Sequence, residues 1–132
     1  MINRDANIFV CVESGETSDK DISLLVHTKN DVHAGEIETS TTLALRPELV
    51  RMDKAVDVSL QFHNSYLDFT STRGVPWYVK TEKISENGVM GNPSRASSEK
   101  GIKIWEIMIA HLVRFVEEIK NSSLEDIYQR RY

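Results

Sequence analysis

His33-Ala34-Gly35-Glu36-Ile37-Glu38-Thr39-Ser40 places one histidine, two carboxylates and two hydroxyls within eight residues, just ahead of a helical pattern. A helix N-terminus offers unpaired backbone N–H groups and partial positive charge, a setting that suits a neutral imidazole acting as base or hydrogen-bond partner. Ala34-Gly35 leaves room beside His33 for a ligand, and Thr39 or Ser40 can steady a carboxylate or a backbone group. His33 and Glu36 have the spacing of two ligands on one helical face, but a metal site needs three or more protein ligands and an outer layer of hydrogen bonds. A structural use competes: His33 capping or packing at a loop-to-helix junction, with Glu36 and Glu38 complementing the helix dipole.

Elsewhere the chemistry is thinner. His27, His63 and His111 fall in positions that read as structural or solvent-facing. Trp77-Tyr78 supplies aromatic area with a polar edge for a pocket wall, an oligomer interface or simple core packing. The loop Asn87-Gly88-Val89-Met90-Gly91-Asn92-Pro93 carries two glycines, which permit backbone approaches that other residues resist. Cys11 lies in an apolar run and reads as a small buried hydrophobe. No Gly-x-Ser-x-Gly elbow, phosphate-binding Gly loop, Cys-x-x-Cys pair or basic-aromatic RNA signature occurs.

The elements that must hold these groups follow from periodicity. Residues 7–12 form a nearly continuous apolar run, the pattern of a strand buried on both faces of a parallel sheet. Ser18 with Asp21 resembles a capping box opening a short helix through Ile22, Leu25 and Val26. From about Glu36, Ile37, Thr41, Ala44 and Leu45 share a helical face that stops at Arg46, because Pro47 disfavours helical geometry in its predecessor. Pro47 itself suits a further turn over 47–50. Residues 56–62, 66–70 and 75–79 are β-prone, with Asn64-Ser65 and Arg73-Gly74 as turns and Pro76 opposing a central strand position. Residues 94–120 predict a long amphipathic helix with Ile102, Trp105, Ile109, Leu112, Val116 and Ile119 as its apolar stripe, widened by Met108 and Phe115, and 124–132 a short terminal one.

With 132 residues, one domain is expected. Sixteen Lys+Arg against twenty Asp+Glu give a net charge of −4, which provides no global field for nucleic acid or an anionic membrane. The apolar runs are too short to span a bilayer and the first residues lack a secretory h-region, so the expected location is cytoplasmic.

Two segments resemble a known family. Residues 33–40, continued by Leu45-Arg46-Pro47-Glu48-Leu49-Val50, are similar to the His-Ala-Gly-x-x-Glu-Thr-Ser segment of the creatininase (creatinine amidohydrolase) family. Gly88-Val89-Met90-Gly91-Asn92-Pro93 and the following Ala96-Ser97-Ser98-Glu99-Lys100-Gly101 resemble that family's Gly-Val-x-Gly-Asp/Asn-Pro loop and the opening of its last helix. The resemblance implies an α/β fold: the C-terminal half of an α/β/α sandwich with a mainly parallel sheet and a long C-terminal helix. Residues 1–132 would form one partial domain, lacking the N-terminal half whose Glu-x-His-Gly, Asp and Gly-His segments hold two divalent ions, zinc or manganese. It also implies hydrolysis of cyclic or linear amide C–N bonds in a small molecule. His33 would be the catalytic histidine shuttling a proton from water to the leaving nitrogen. Glu36, Glu38, Thr39, Ser40, Trp77, Gly91 and Asn92 would support the site or line its pocket, with no metal ligand in this chain. Lys29 and Asn30 stand where creatininase proper has Trp and Asp before that histidine, which points away from creatinine. Such a chain is expected to be inactive alone and to join a separate N-terminal-half polypeptide, or to form a homo-oligomer or hetero-complex. The alternative is a metal-free, non-catalytic assembly or binding module.

Overall fold

The computed structural model describes residues 8–13, 20–69 and 77–128. Helix α1, Lys20–Leu25, is a single short segment that buries Ile22. Helix α2, Glu36–Leu45, opens after Gly35 and ends where Arg46 donates its N–H to Thr42 O at 2.7 Å, with Pro47 starting a 3₁₀ turn over Pro47–Leu49. A second 3₁₀ turn, Met52–Lys54, follows at once. Helix α3, Ser98–Asn121, is 24 residues long, roughly 36 Å at the usual rise. Ser97 caps it by accepting from Lys100 N at 3.1 Å, the Ser/Thr cap that fills one orphan donor of a first turn. Helix α4, Leu124–Tyr128, closes the described chain. None of these helices is long and apolar enough to cross a membrane.

The central packing is α2 against α3, and it turns on Gly101. A Cβ there would lie 1.9 Å from the carbonyl oxygen of Ser40, so only glycine lets the helix backbones meet this closely. Trp105 Nε1 then donates to Thr41 O at 3.1 Å and Ser97 N donates to Ser40 Oγ at 3.2 Å, fixing the crossing with directional bonds. The hydroxyl-rich α2 tolerates burial because its side chains turn back on the helix: Ser40 donates to Glu36 O at 2.6 Å and Thr42 to Glu38 O at 2.7 Å.

Among the described residues the buried large hydrophobics are Ile22, Leu60, Met90 and Ile104, while Thr28, Asn30, Glu36, Ser40, Asp68 and Ser85 are buried polar groups. Cohesion therefore depends on satisfied polar contacts as much as on apolar area, and no buried side-chain N or O atom among the described residues lacks a hydrogen bond. Asn30, with φ of 55°, donates Nδ2 to Leu60 O at 3.1 Å, and Lys29 pairs with Asp68 at 2.7 Å, joining the 26–35 turn to the 58–69 segment. Phe62, Phe69 and Trp77 form a local knot, with Phe69 and Trp77 stacked at 5.4 Å and Phe62 edge-on to both.

Three expectations are corrected. The α/β/α sandwich with a mainly parallel sheet is not formed: the described residues contain no strand, only isolated antiparallel bridges at His33–Met90 and Val58–Gly91. β-Propensity is realised only where a ladder partner runs alongside, and here the meeting segments touch at single positions before Pro93 turns the chain into the 3₁₀ segment Pro93–Arg95. Residues 8–13 are accordingly assigned to no strand, and Cys11 is exposed rather than buried. That segment is held by α4, where Tyr128 Oη donates to Ile8 O at 2.9 Å and its ring meets Phe9 edge-on at 6.1 Å.

The long helix exists as its spacing indicates, but its docked face is Gly101 and Ile104, backed by half-buried Met108, His111, Phe115 and Ile119. Ile102, Ile109, Leu112 and Val116 of the expected stripe are exposed. The turn at Asn64 is present, with Asn64 Oδ1 accepting from Tyr66 N at 3.0 Å. The Ser18 cap, the Arg73-Gly74 turn, Pro76 and residues 129–132 lie outside the described residues.

Candidate functional site

The two family-like segments meet through backbone. Val32 N and His33 N both donate to Met90 O, at 2.8 and 3.1 Å, and Met90 N returns to His33 O at 2.8 Å. Val58 and Gly91 exchange bonds of 2.9 and 3.0 Å, so the 87–92 loop is stapled between residues 32–33 and 58. Behind this staple sits Asp31. Its Oδ1 accepts from Glu36 N at 2.7 Å and its Oδ2 from Ile37 N at 2.8 Å, capping α2 from five and six residues upstream. Gly35 and Gly91 make room for it: a Cβ on either would fall 1.9 or 2.2 Å from Asp31 Oδ1. Burial pushes the Asp31 carboxyl above its ordinary pKa, and the neighbouring Glu36 charge adds to this, although the N–H groups of Ile37 and Glu36 pull the other way.

His33 and Glu38 stand at the surface of this junction, their side chains 60% and 58% exposed, with Nδ1 of the imidazole 3.4 Å from Glu38 Oε2. The same carboxylate oxygen accepts from Ala34 N at 2.5 Å. Ala34 has φ of 49°, a left-handed conformation that costs a residue with a Cβ about 1 kcal/mol or more. The bend turns its N–H toward Glu38 and so helps hold carboxylate and histidine together. A carboxylate against Nδ1 favours the tautomer with the proton there and leaves Nε2 as the acceptor.

Glu36, by contrast, is fully buried. Its Oε2 accepts from His27 N at 3.0 Å, Thr28 N at 2.8 Å and Thr28 Oγ1 at 2.6 Å, while its Oε1 pairs with Lys100 Nζ. Lys100 donates also to Arg95 O at 2.9 Å. Burial alone would raise the Glu36 pKa, but Lys100, Thr28 and His27 outweigh it and hold the carboxyl below its ordinary value. Glu36 thus locks α2 to α3 and to the 27–28 turn.

Beside Ala34 opens a cavity of about 510 Å³ whose wall includes Ala34, Glu38, Thr39, Thr42, Val50 and Arg51, with His33 reaching it only through its contact with Glu38. A second of about 260 Å³ shares Ala34, Thr39, Val50 and Arg51 and extends to Lys54, Asn87 and Val89. A third, of about 240 Å³, lies among His27, Lys29, Ser59, Gln61, Asn92 and Arg95.

Of the residues expected at the site, the structure pairs His33 with Glu38 and sets Glu38 and Thr39 on one cavity wall, which His33 itself does not line. Glu36 and Ser40 are buried between helices. Gly91 packs against Asp31, and Asn92 accepts from Ser59 Oγ at 2.9 Å on the third cavity. Trp77 donates Nε1 to Leu67 O at 3.2 Å within its aromatic knot, and it lines none of these three cavities. Sequence reasoning missed Asp31, Lys100 and Arg51. An acidic residue five places before a helix start was the available signal for Asp31, and Lys100 follows Glu99 in the first turn of α3.

The described residues contain no group of three or more His, Cys, Asp or Glu side chains that could hold a metal ion. His33 with Glu38 makes two metal ligands at most, and Glu36 already accepts from four donor groups on His27, Thr28 and Lys100. These residues do not fit a divalent metal centre by themselves.

No curated protein matches the chain, and no solved structure does. The family model for creatininase, described as creatinine amidohydrolase, matches residues 2–116. With that match spanning the capped His33 segment, the 87–92 loop and most of α3, the chain belongs to the creatininase family of amidohydrolases.

Proposed function

We propose that this chain takes part in hydrolysing the C–N bond of a small cyclic or linear amide, with His33 as the proton-transferring residue and the adjoining cavity as the amide's seat. The observation that carries this reading is the Nδ1 of His33 set against Glu38 Oε2 at 3.4 Å beside a cavity walled by Ala34, Glu38 and Thr39. In the step itself, Nε2 takes a proton from the water attacking the amide carbon and returns it to the departing nitrogen. Glu38 orients the ring and stabilises the imidazolium between the two transfers. Thr39, whose hydroxyl lies 3.4 Å from Ala34 O, belongs to the wall that positions the substrate.

A zinc or manganese ion of the kind this family uses would require ligands beyond the described residues, and a separate polypeptide carrying them, joined in a hetero-complex or homo-oligomer, is part of this proposal. So are a cytoplasmic location and inactivity of the chain by itself. The test is an amidase assay over a panel of small cyclic and linear amides, with the chain alone and co-purified with its genomic neighbours. Activity that appears in the complex and falls at least about a hundredfold in His33→Ala supports the reading. Equal activity of His33→Ala in an active complex overturns it.

A second reading, a non-catalytic assembly module, is favoured by the exposed Ile102, Ile109, Val113 and Val116 along α3. Assembly that persists in every preparation while no amide is turned over in any of them would select it.

A further inference from the structure

The second cavity, lined in part by Ala34 and Thr39, has an unusual charge balance. Its lining contains two cations, Arg51 and Lys54, and no carboxylate. Several other cations are already engaged: Arg46 with Glu48 at 2.5 Å, Arg95 with His27 O at 3.1 Å, Lys29 with Asp68 at 2.7 Å and Lys100 with buried Glu36. Arg51 and Lys54 make no side-chain hydrogen bond or ion pair among the described residues. Their placement is set by backbone: Arg51 lies between the two 3₁₀ turns, and Lys54 N closes the second by donating to Arg51 O at 3.0 Å. Asn87 adds a donor to the same wall. Its Oδ1 is occupied by Ser85 Oγ at 3.1 Å and Val89 N at 3.0 Å, which leaves its amide NH₂ to donate elsewhere.

From this we infer that the cavity lined by Arg51, Lys54 and Asn87 is a subsite for an anionic group, a carboxylate or a phosphate, on the substrate whose amide is presented to His33. The guanidinium fork matches either group with two parallel hydrogen bonds, and Lys54 contributes a point charge. Ala34, Thr39, Val50 and Arg51 line both cavities, so a ligand anchored by its anionic end extends into the larger cavity, whose wall includes Glu38, the carboxylate that faces the His33 imidazole. Glu38 lines only the larger cavity and repels an anion from the reacting end, which orients an amide bearing one anionic terminus in a single sense. This assignment rests on the reading of His33 as the reacting end and adds the substrate class: a small anionic amide.

The experiment is a heteronuclear NMR titration of the full chain with N-acetylglycine, its neutral analogue N-acetylglycinamide, and inorganic phosphate. The expected result is perturbation at Arg51, Lys54 and Asn87 by the two anions, with N-acetylglycine binding at least about tenfold tighter than the neutral analogue. Arg51→Gln, at an exposed position and with its fold checked by circular dichroism, is expected to abolish that preference, Arg51→Lys to retain part of it, and His33→Ala to leave it intact. A stronger response to phosphate than to N-acetylglycine assigns the subsite to phosphate esters, and the reverse to carboxylates. No preference for the anionic amide together with no phosphate response at Arg51, or a preference unchanged in Arg51→Gln, overturns the proposal. Anion binding with no amide turnover in any complex would instead sink the hydrolytic reading, while turnover of neutral amides as fast as anionic ones would sink this one alone.

Discussion

Lys100, in the first turn of α3, closes on the carboxylate of Glu36 at the head of α2, and that carboxylate is fully buried. An ion pair in such a place holds two helices in register because neither partner can be left alone without a large desolvation cost. Lys100→Met is therefore expected to destabilise the fold by about 3–5 kcal/mol, and Glu36→Gln by a similar amount unless Lys100 is neutralised with it. The double substitution Glu36→Gln with Lys100→Met should recover part of the loss, measured as a coupling in urea unfolding.

Acid should reveal the same carboxylate. Because the folded state holds Glu36 below its ordinary pKa, its contribution is complete above the unfolded carboxylate value and fades as pH falls through the lower folded one. Asp31 has the opposite sign: its raised folded pKa makes a contribution that is present in acid and lost as pH rises through that value. Replacing Asp31 with Asn is expected to remove this opposing slope while costing about 1–2 kcal/mol at neutral pH, since one of the two oxygens that accept separately from Glu36 N and Ile37 N becomes an NH₂ that only donates. Thermal unfolding between pH 3 and 7 would show both effects, and a pH profile identical to the parent would contradict them.

The helices were legible because their signals are local. Pro47 ends α2 where its steric demand says it must, and α3 carries an unbroken three-and-four spacing. The docked face of α3 was not legible because its centre is Gly101, a residue with no apolar weight, chosen for the approach of Ser40. The β-prone pieces misled because pairing is non-local, and here it is reduced to the contacts of His33 with Met90 and Val58 with Gly91. His33, Glu38 and Thr39 were singled out by the clustering of their segment and its resemblance to the family, whereas Arg51 reaches the cavity that Glu38 and Thr39 line only through two consecutive 3₁₀ turns.

Gly101 gives the sharpest packing test. Alanine adds one methyl group at 1.9 Å from Ser40 O, a contact with backbone that no rotamer can relieve. Gly101→Ala should cost about 1–3 kcal/mol or more by forcing α2 and α3 apart, despite alanine's better helix propensity. Gly88, with open space around its Cα, is the contrasting site, where Gly88→Ala loses only from its φ of 84°. Denaturant midpoints that rank these two variants the other way would contradict the crossing described here.

At Ala34 the strain and the chemistry can be separated. Its φ of 49° serves to bring its N–H onto Glu38 Oε2, the oxygen that also faces His33. Ala34→Gly relieves the left-handed penalty but frees the unfolded chain and loosens the loop, so equilibrium stability should change by less than about 1 kcal/mol in either direction. Glu38→Gln leaves the backbone bend in place yet removes the charge behind the imidazole. In an active complex it is expected to lower kcat by about tenfold to a hundredfold with little change in KM, because the carboxylate matters most when His33 carries the extra proton. A Glu38→Gln enzyme with parental kcat would show that the 3.4 Å contact is surface pairing without a part in proton transfer.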